Sequence, residues 1–284
     1  MLDLWISNIF NGFILGIIYA TMAMGMSLIF GVMGIKNLAH GDFTVIGMYV
    51  SFWFFLLFGI SPLLSVPISF ALFFIIGILV TRFIFKYIIG EMLGSIILTF
   101  GFSILIENIM LFMWGADYRM IPVSFGIFKL GFISVDGKYL IALGLTLMLI
   151  VLVQLFLART KIGTAIRAVS QDPDAAESLG ISSEKIRLIG GGIGLALAGA
   201  GGAILSLIYY IYPYLGTLLT LYSLIICVFA GLGNVAGTIF TGIIIGIAQS
   251  IFSIYVTFSL APVIGFIIFI LVLLFRPQGL FGAR

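Results

Sequence analysis

Residues 36 to 43, KNLAHGDF, hold the side chains best suited to chemistry in this sequence: Lys36, Asn37, His40 and Asp42. His40 is the only histidine among the 284 residues. A histidine beside a carboxylate could relay a proton or contribute to a metal site. We do not expect a metal site, because this pair has no further ligand near it in the sequence. Lys36 and His40, four residues apart, would share a helix face, and Asp42 would join them only if the helix unwound.

This polar segment lies between two long apolar runs, and three interpretations stay open. It could be a tight loop at the inner surface, with Lys36 reaching the lipid headgroups. It could be a broken helix at membrane depth, where irregular backbone is tolerated if it borders a cavity. It could also be a proton relay through His40 and Asp42. Glu107 lies either near the outer interface or on a solute route. The candidate translocation-path residues are therefore Lys36, Asn37, His40, Asp42 and Glu107.

The composition indicates the solvent around these residues. Hydrophobic residues make up 63% of the chain and charged residues 8%, against about 25% charged in a typical soluble domain. The sequence predicts an all-α polytopic membrane protein, a single transmembrane domain over residues 1–284 with about 8–10 membrane-spanning helices. The first apolar run is longer than a bilayer requires, which predicts an interfacial start or a break near its end. The predicted segments are 5–35, 43–60, 62–81, 91–114, 138–158, 188–212, 217–233, 236–256 and 258–275.

Basic residues predict the orientation. The long polar segment at about 159–187 is rich in Lys and Arg, which places it in the cytoplasm by the positive-inside rule. Counting crossings from there puts the N-terminus outside, the C-terminus inside with Arg276 and Arg284, and the loop at about 115–137 outside. The basic residues of the cytoplasmic segment are Arg159, Lys161, Arg167, Lys185 and Arg187.

Within the cytoplasmic segment, SQDPDAAESLGIS is typical of a short helix. Asp172 can cap it, Pro173 suits its first helical position, and Asp174 favours the positive end of the helix dipole. Gly180 can end it in the left-handed conformation. A helix of about seven residues is marginal alone, so we expect it to lie against another surface.

The stretch Asp174-Ala175-Ala176-Glu177-Ser178-Leu179-Gly180 resembles the "EAA…G" loop of ATP-binding-cassette importer permeases, with Asp in place of the usual Glu. Five further motifs are NGFILGIIYATMAMGMSLIFGVMGIKNLAHGDF (11–43), RTKIGTAIRAVSQDPDAAESLGI (159–181), YPYLG (212–216), FAGLGNVAGTIFTGIIIGIAQS (229–250) and RPQGLFG (276–282). Their order resembles that of branched-chain amino acid importer permeases, most closely the H-type subunit of the permease pair. Leu38, Asp42 and Ala236 depart from the usual Phe, Glu and Pro.

The resemblance implies a permease subunit of the bacterial inner membrane that forms half of a path for branched-chain amino acids. Its partners would be a second homologous permease subunit, two cytoplasmic ATP-binding subunits and an external solute-binding protein. The short helix would be a coupling helix that docks on an ATP-binding subunit. The residues implied in coupling are Asp172, Pro173, Asp174, Ala175, Ala176, Glu177, Leu179 and Gly180.

Other chemistry finds little support in the sequence. There is no G-x-x-x-x-G-K-[ST] phosphate loop and no catalytic constellation, so we expect neither enzyme activity nor a cofactor. The single Cys227 excludes a disulfide within the chain and a cysteine-based metal site. The expected surroundings are a lipid bilayer, not nucleic acid. Two alternatives stay open: a permease of this kind for urea, short amides or another small polar solute, and an ion-coupled secondary transporter.

Small residues form a further pattern in GGGIGLALAGAGGA, residues 190–203. Glycine and alanine recur at spacings of three and four, which lets helix backbones approach closely in lipid. The stretch is either a packing surface within the subunit or a hinge.

Overall fold

The computed structural model describes residues 2–130, 133–256, 262–276 and 278–281. Eleven α-helices make up most of this part of the chain. A short 3-10 helix, Phe85–Tyr87, and one two-stranded hairpin lie in the connections between them. The predicted all-α membrane fold is confirmed, since seven of the helices are long and apolar enough to cross a bilayer and two shorter helices are apolar. The elements are α1 Leu2–Met33, α2 His40–Phe58, α3 Pro62–Phe83, α4 Met92–Trp114, β1 Ile127–Leu130, β2 Ile133–Asp136, α5 Gly137–Arg159, α6 Lys161–Gln171, α7 Pro173–Ser178, α8 Ser183–Leu205, α9 Leu215–Ala230, α10 Gly237–Tyr255 and α11 Pro262–Phe275.

Helix α8 is the centre of the bundle and packs against α1, α2 and α3. All of its residues from Gly190 to Leu205 are buried. Its glycines lie directly against neighbouring helices: Gly191 faces Thr81 and Met33, and Gly199 faces the Phe73 ring. The small-residue stretch therefore packs α8 closely on three sides, as the packing interpretation expects.

A second set of glycines joins α1 to α10. Gly12 faces Gly246, and Gly16 faces Gly242, in each case backbone against backbone. Both pairs have the four-residue spacing that brings small residues onto one helix face. The two helices can approach closely because no side chain separates them.

The bundle has two distinguishable ends. We call the end that carries α6 and α7 the α6–α7 end, and the opposite end, with β1 and β2, the hairpin end. Helix α8 leaves the α6–α7 end, and its Gly190 lies against Val32 while its Gly201 lies against Met22. Helix α1 therefore runs antiparallel to α8 and finishes at the α6–α7 end.

The first segment, predicted at about 5–35, breaks at Gly34, which is one of the two outcomes expected from its length. The boundary predicted at about 212 was wrong, because the chain leaves the helix after Leu205. The amphipathic α6 and the hairpin of β1 and β2 were not predicted. The start of the last predicted segment, at 258–261, and Arg284 lie outside the described residues.

We expect Gly199→Leu to destabilise the protein, because its Cβ would overlap the Phe73 ring. Overpacking of this kind costs about 1–3 kcal/mol. Thermal unfolding of the detergent-purified protein measures the effect. Gly144→Leu is the control, since a Cβ there meets nothing within 4 Å. Equal unfolding temperatures for the two variants would contradict close packing at Gly199.

Candidate functional site

Residues 34–39 interrupt the helical structure between α1 and α2. Gly34 has φ +70°, a left-handed conformation that ends α1 after Met33, and its N–H donates to the carbonyl of Phe30 at 2.7 Å. Residues 34–37 have no regular structure, and helix α2 begins at His40. The polar segment singled out from the sequence is therefore split between irregular backbone and the first turn of a helix.

Two threonine hydroxyls from other helices bind the backbone of this segment. The Thr99 hydroxyl of α4 accepts from the Leu38 N–H at 3.1 Å and lies 3.0 Å from the Lys36 carbonyl. The Thr220 hydroxyl of α9 accepts from the Gly41 N–H at 2.8 Å and donates to the Leu38 carbonyl at 3.0 Å. These contacts replace hydrogen bonds that a continuous helix would have made within itself.

The irregular segment runs from the α6–α7 end into the middle of the bundle. At its start, the Met33 carbonyl accepts from the Gly90 N–H, just before α4. Further on, Asp42 accepts a hydrogen bond from Ser103, at the midpoint of α4. From Met92 to Ser103 a helix rises about 17 Å at 1.5 Å per residue, roughly half of a hydrocarbon core of about 30 Å. The chain thus returns from the α6–α7 end to mid-depth before α2 starts.

Three candidate residues of this segment are completely buried: Asn37, His40 and Asp42 are each 0% exposed. The His40 Nε2 donates to the Met22 carbonyl of α1 at 2.8 Å, because a carbonyl can only accept. The Asn37 side-chain oxygen accepts from the Ala39 N–H at 3.1 Å. His40 and Asp42 thus bond to different helices, α1 and α4, and not to each other.

Lys36 and Glu107, the other two candidates, are half-buried. Glu107 belongs to a polar stripe on α4 with the spacing of four that defines one helix face. The stripe turns toward the broken segment, and its members are Ser95, Thr99, Ser103 and Glu107. The remaining surface of α4 is mostly apolar and exposed.

Helices α2 and α9 meet at mid-depth through two glycines. A Cβ on Gly41 would overlap the Gly216 carbonyl and the Thr220 N–H, and a Cβ on Gly216 would overlap the Asp42 side chain. Both glycines lie in the first turn of their helix. Any larger residue at either position would push the two helix starts apart.

At the α6–α7 end, α7 has the capping geometry expected from the sequence. The Asp172 carboxylate accepts from the N–H groups of Asp174 and Ala175 at 3.0 and 2.9 Å, and Gly180 has φ +82°. Ala176 is buried at 2% exposure, whereas Leu179 is 82% exposed.

The other predicted coupling residues of α7 lie mostly on the side of the helix that faces away from the protein. Pro173 is half-buried, and Asp174, Ala175 and Glu177 are exposed. Helix α7 therefore packs on the protein through one alanine and presents its remaining face, with an apolar leucine at its end.

The structure brings the predicted residues together in two separate places. The α7 residues lie at one end of the bundle, and the segment at 36–42 lies at mid-depth with Glu107 nearby. Sequence reasoning missed Thr99, Ser103 and Thr220, which bind that segment. Thr99 and Ser103 could have been found from the sequence, because polar residues recur at every fourth position of α4. No pattern in the sequence singles out Thr220.

These features define a class: an integral membrane protein with several spans, an irregular segment between α1 and α2 that returns to mid-depth, and a small capped helix exposed at one end. Irregular backbone that reaches the midplane is a feature of transport proteins, in which it borders the solute route.

Comparisons with known proteins identify the family. The profile of the family described as "Branched-chain amino acid transport system / permease component" matches residues 8–274. The permease protein BraD of Pseudomonas aeruginosa is 30% identical, over 98% of this chain and 96% of that protein. LivH of Escherichia coli is 29% identical with the same coverage, and a probable LivH of Methanocaldococcus jannaschii is 29% identical over 92% of this chain and 87% of its own length. A comparison with solved structures gave no match.

The chain belongs to the family of permease components of branched-chain amino acid transport systems. The resemblance to LivH-type permeases seen in the sequence is thereby confirmed, and the protein is a multi-pass membrane transport subunit. Permeases of this kind work with ATP-binding and solute-binding partners.

We expect Thr220→Val to destabilise the fold, because it leaves the Gly41 N–H and the Leu38 carbonyl unpaired in an apolar environment. A buried unpaired polar group costs about 1–3 kcal/mol. Thermal unfolding in detergent measures this loss.

The matched control for Thr220→Val is Thr146→Val. Thr146 is buried like Thr220, at 0% against 4% exposed, and its hydroxyl has no hydrogen-bond partner within the described part of the chain. This variant should be as stable as the wild type or more so. If both variants lose the same stability, the Thr220 hydroxyl does not support the break.

Proposed function

We propose that this chain forms half of the translocation path of an ATP-driven importer of branched-chain amino acids, with α7 as the contact for an ATP-binding subunit. The observation that carries the proposal is the exposed face of α7. The Asp172 cap and the buried Ala176 hold this short helix on the protein. The apolar Leu179 at its end is 82% exposed, and burying it in a groove on another protein would remove its apolar surface from water.

The proposal extends to partners and orientation. The related proteins BraD and LivH are named as parts of high-affinity branched-chain amino acid transport systems. By analogy, a second permease, two ATP-binding subunits and an external binding protein would complete the assembly in the bacterial inner membrane. The α6–α7 end would face the cytoplasm and the hairpin end the outside, because α6, α7 and their flanks hold five of the 13 basic residues. The N-terminus would then lie outside and the C-terminus inside.

We place the path beside the broken segment at 36–42. Lys36 and Glu107 are the half-buried charges there, and a charge at this depth is favourable only where it meets water or an opposite charge. The buried Asn37, His40 and Asp42 would border the path indirectly, by holding the backbone of the segment. A zwitterionic amino acid moving along this segment would meet a positive side chain at Lys36, beside Thr99, and a negative one at Glu107, about 12 Å further along α4.

Reconstitution tests the function directly. We expect proteoliposomes that contain this chain, its second permease, both ATP-binding subunits and the binding protein to take up labelled leucine, isoleucine and valine when ATP is present. In the same vesicles Ala175→Arg should abolish uptake and release the ATP-binding subunits, because Ala175 is exposed and a bulky cation would keep α7 out of its groove.

The control for Ala175→Arg is Ser124→Arg, which adds the same charge at an exposed site toward the hairpin end and should leave ATPase association intact. Normal association and uptake by Ala175→Arg would refute the assignment of α7. Uptake that needs no ATP and collapses with an ionophore would indicate a secondary transporter. If urea or short amides competed with labelled leucine more strongly than valine does, the transported solute would be one of these small polar molecules and not a branched-chain amino acid.

We expect the pH profile of uptake to keep its shape in His40→Gln and in Asp42→Asn. The two side chains bond to different helices, so they do not form the continuous chain that a relay requires. Uptake measured across pH in the same vesicles tests whether His40 and Asp42 relay protons. Glu107→Gln, measured in parallel, removes the half-buried carboxylate near them and serves as the comparison. A profile displaced by either substitution at 40 or 42 would contradict this expectation and support the proton relay.

A further inference from the structure

An apolar groove of about 690 Å³ runs along the outside of the bundle between α3 and α5. Its walls extend from Leu63 to Phe74 on α3 and from Leu145 to Phe156 on α5, and Ile189 and Ile193 of α8 form its floor. Every side chain that lines it is apolar. Because a helix rises 1.5 Å per residue, each wall is about 17 Å long. The groove is therefore about half as long as a hydrocarbon core is thick, and it is open to the surroundings of the bundle.

Basic residues gather where the groove approaches the α6–α7 end. On α5, Arg159 lies one turn beyond the lining residue Phe156. On α6, Lys161 directly precedes the lining residue Ile162. On α8, Lys185 lies one turn before Ile189 and so shares its helix face. On α3, Arg82 lies about two turns beyond Phe74.

The side chains of these four cations are all exposed, and Glu184 is the acidic residue next to Lys185. Each element that lines the groove thus places a cation near the same mouth.

We propose that this groove binds one acyl chain of an anionic phospholipid, whose headgroup contacts Arg82, Arg159, Lys161 and Lys185. The apolar walls match a hydrocarbon chain, and the cations match a headgroup that carries a net negative charge. A zwitterionic lipid would fill the groove equally well but would gain less from four positive charges. An apolar helix of another subunit would cover the walls and leave the cations without a counter-charge.

The proposal is independent of the translocation path, since the groove lies on the outer side of α3 and α5 and shares no residue with the segment at 36–42. Failure of the transport assay would leave it standing, and failure of lipid binding would leave the transport function standing.

Native mass spectrometry of the full-length protein in detergent tests the site. Phosphatidylglycerol and phosphatidylcholine with identical acyl chains are added in turn, and the retained lipid adducts are compared. We expect preferential retention of phosphatidylglycerol. Arg159→Gln and Lys161→Gln should each lower its relative affinity about fivefold, the usual effect of one basic residue near an anionic headgroup.

Two further variants make the result specific to the groove. Leu152→Trp, at a lining position that is 53% exposed, should reduce retention of both lipids by narrowing the groove. Lys138→Gln removes a charge from the opposite end of α5 and should leave the lipid preference unchanged. Equal retention of the two lipids, retention of neither, or an equal loss in Lys138→Gln and Arg159→Gln would each overturn the proposal.

Discussion

The arrangement of this protein depends on one constraint: within a bilayer, every backbone N–H and C=O needs a partner from the protein itself. The chain leaves helical structure after Met33 and resumes it at His40, so the intervening backbone groups must find partners elsewhere. Two threonine hydroxyls, Thr99 and Thr220, meet much of this need because a hydroxyl both donates and accepts. The positions of α4 and α9 are consequently tied to the break between α1 and α2.

The same constraint explains why some side chains at 36–42 are buried and hydrogen-bonded while Lys36 is only half-buried. His40 and Asn37 each place one polar atom on a backbone group, and Asp42 places one oxygen on the Ser103 hydroxyl. The other polar atoms of these side chains, Asn37 Nδ2, His40 Nδ1 and Asp42 Oδ1, are buried without a hydrogen-bond partner in the part of the chain that the structure describes. Each of these residues, whose types suggest catalysis, therefore has one structural partner here. Lys36 and Glu107 are half-buried instead, so the chemistry that a passing solute would meet comes from the edges of this cluster.

Much of the fold could be predicted from the sequence, because hydropathy and helix capping are local properties. The nine apolar segments, the cap at Asp172 and the stop at Gly180 depend on neighbours a few residues away. The depth of the segment at 36–42 was not predictable in the same way, because it depends on Thr99 and Thr220, which lie far along the chain. The β1–β2 hairpin was missed because its strands have four residues each, too few to show a clear alternation of polar and apolar side chains.

The glycine- and alanine-rich stretch of α8 has a thermodynamic consequence. A long side chain that packs in a protein interior loses rotamer freedom, whereas glycine and alanine have no side-chain rotamers to lose. The part of α8 from Gly190 to Ala203, which meets three other helices, is built mainly from these two residues. The most crowded region of the bundle therefore assembles with little loss of side-chain entropy. This matters in a bilayer, because the hydrophobic effect does not drive helices to associate in hydrocarbon.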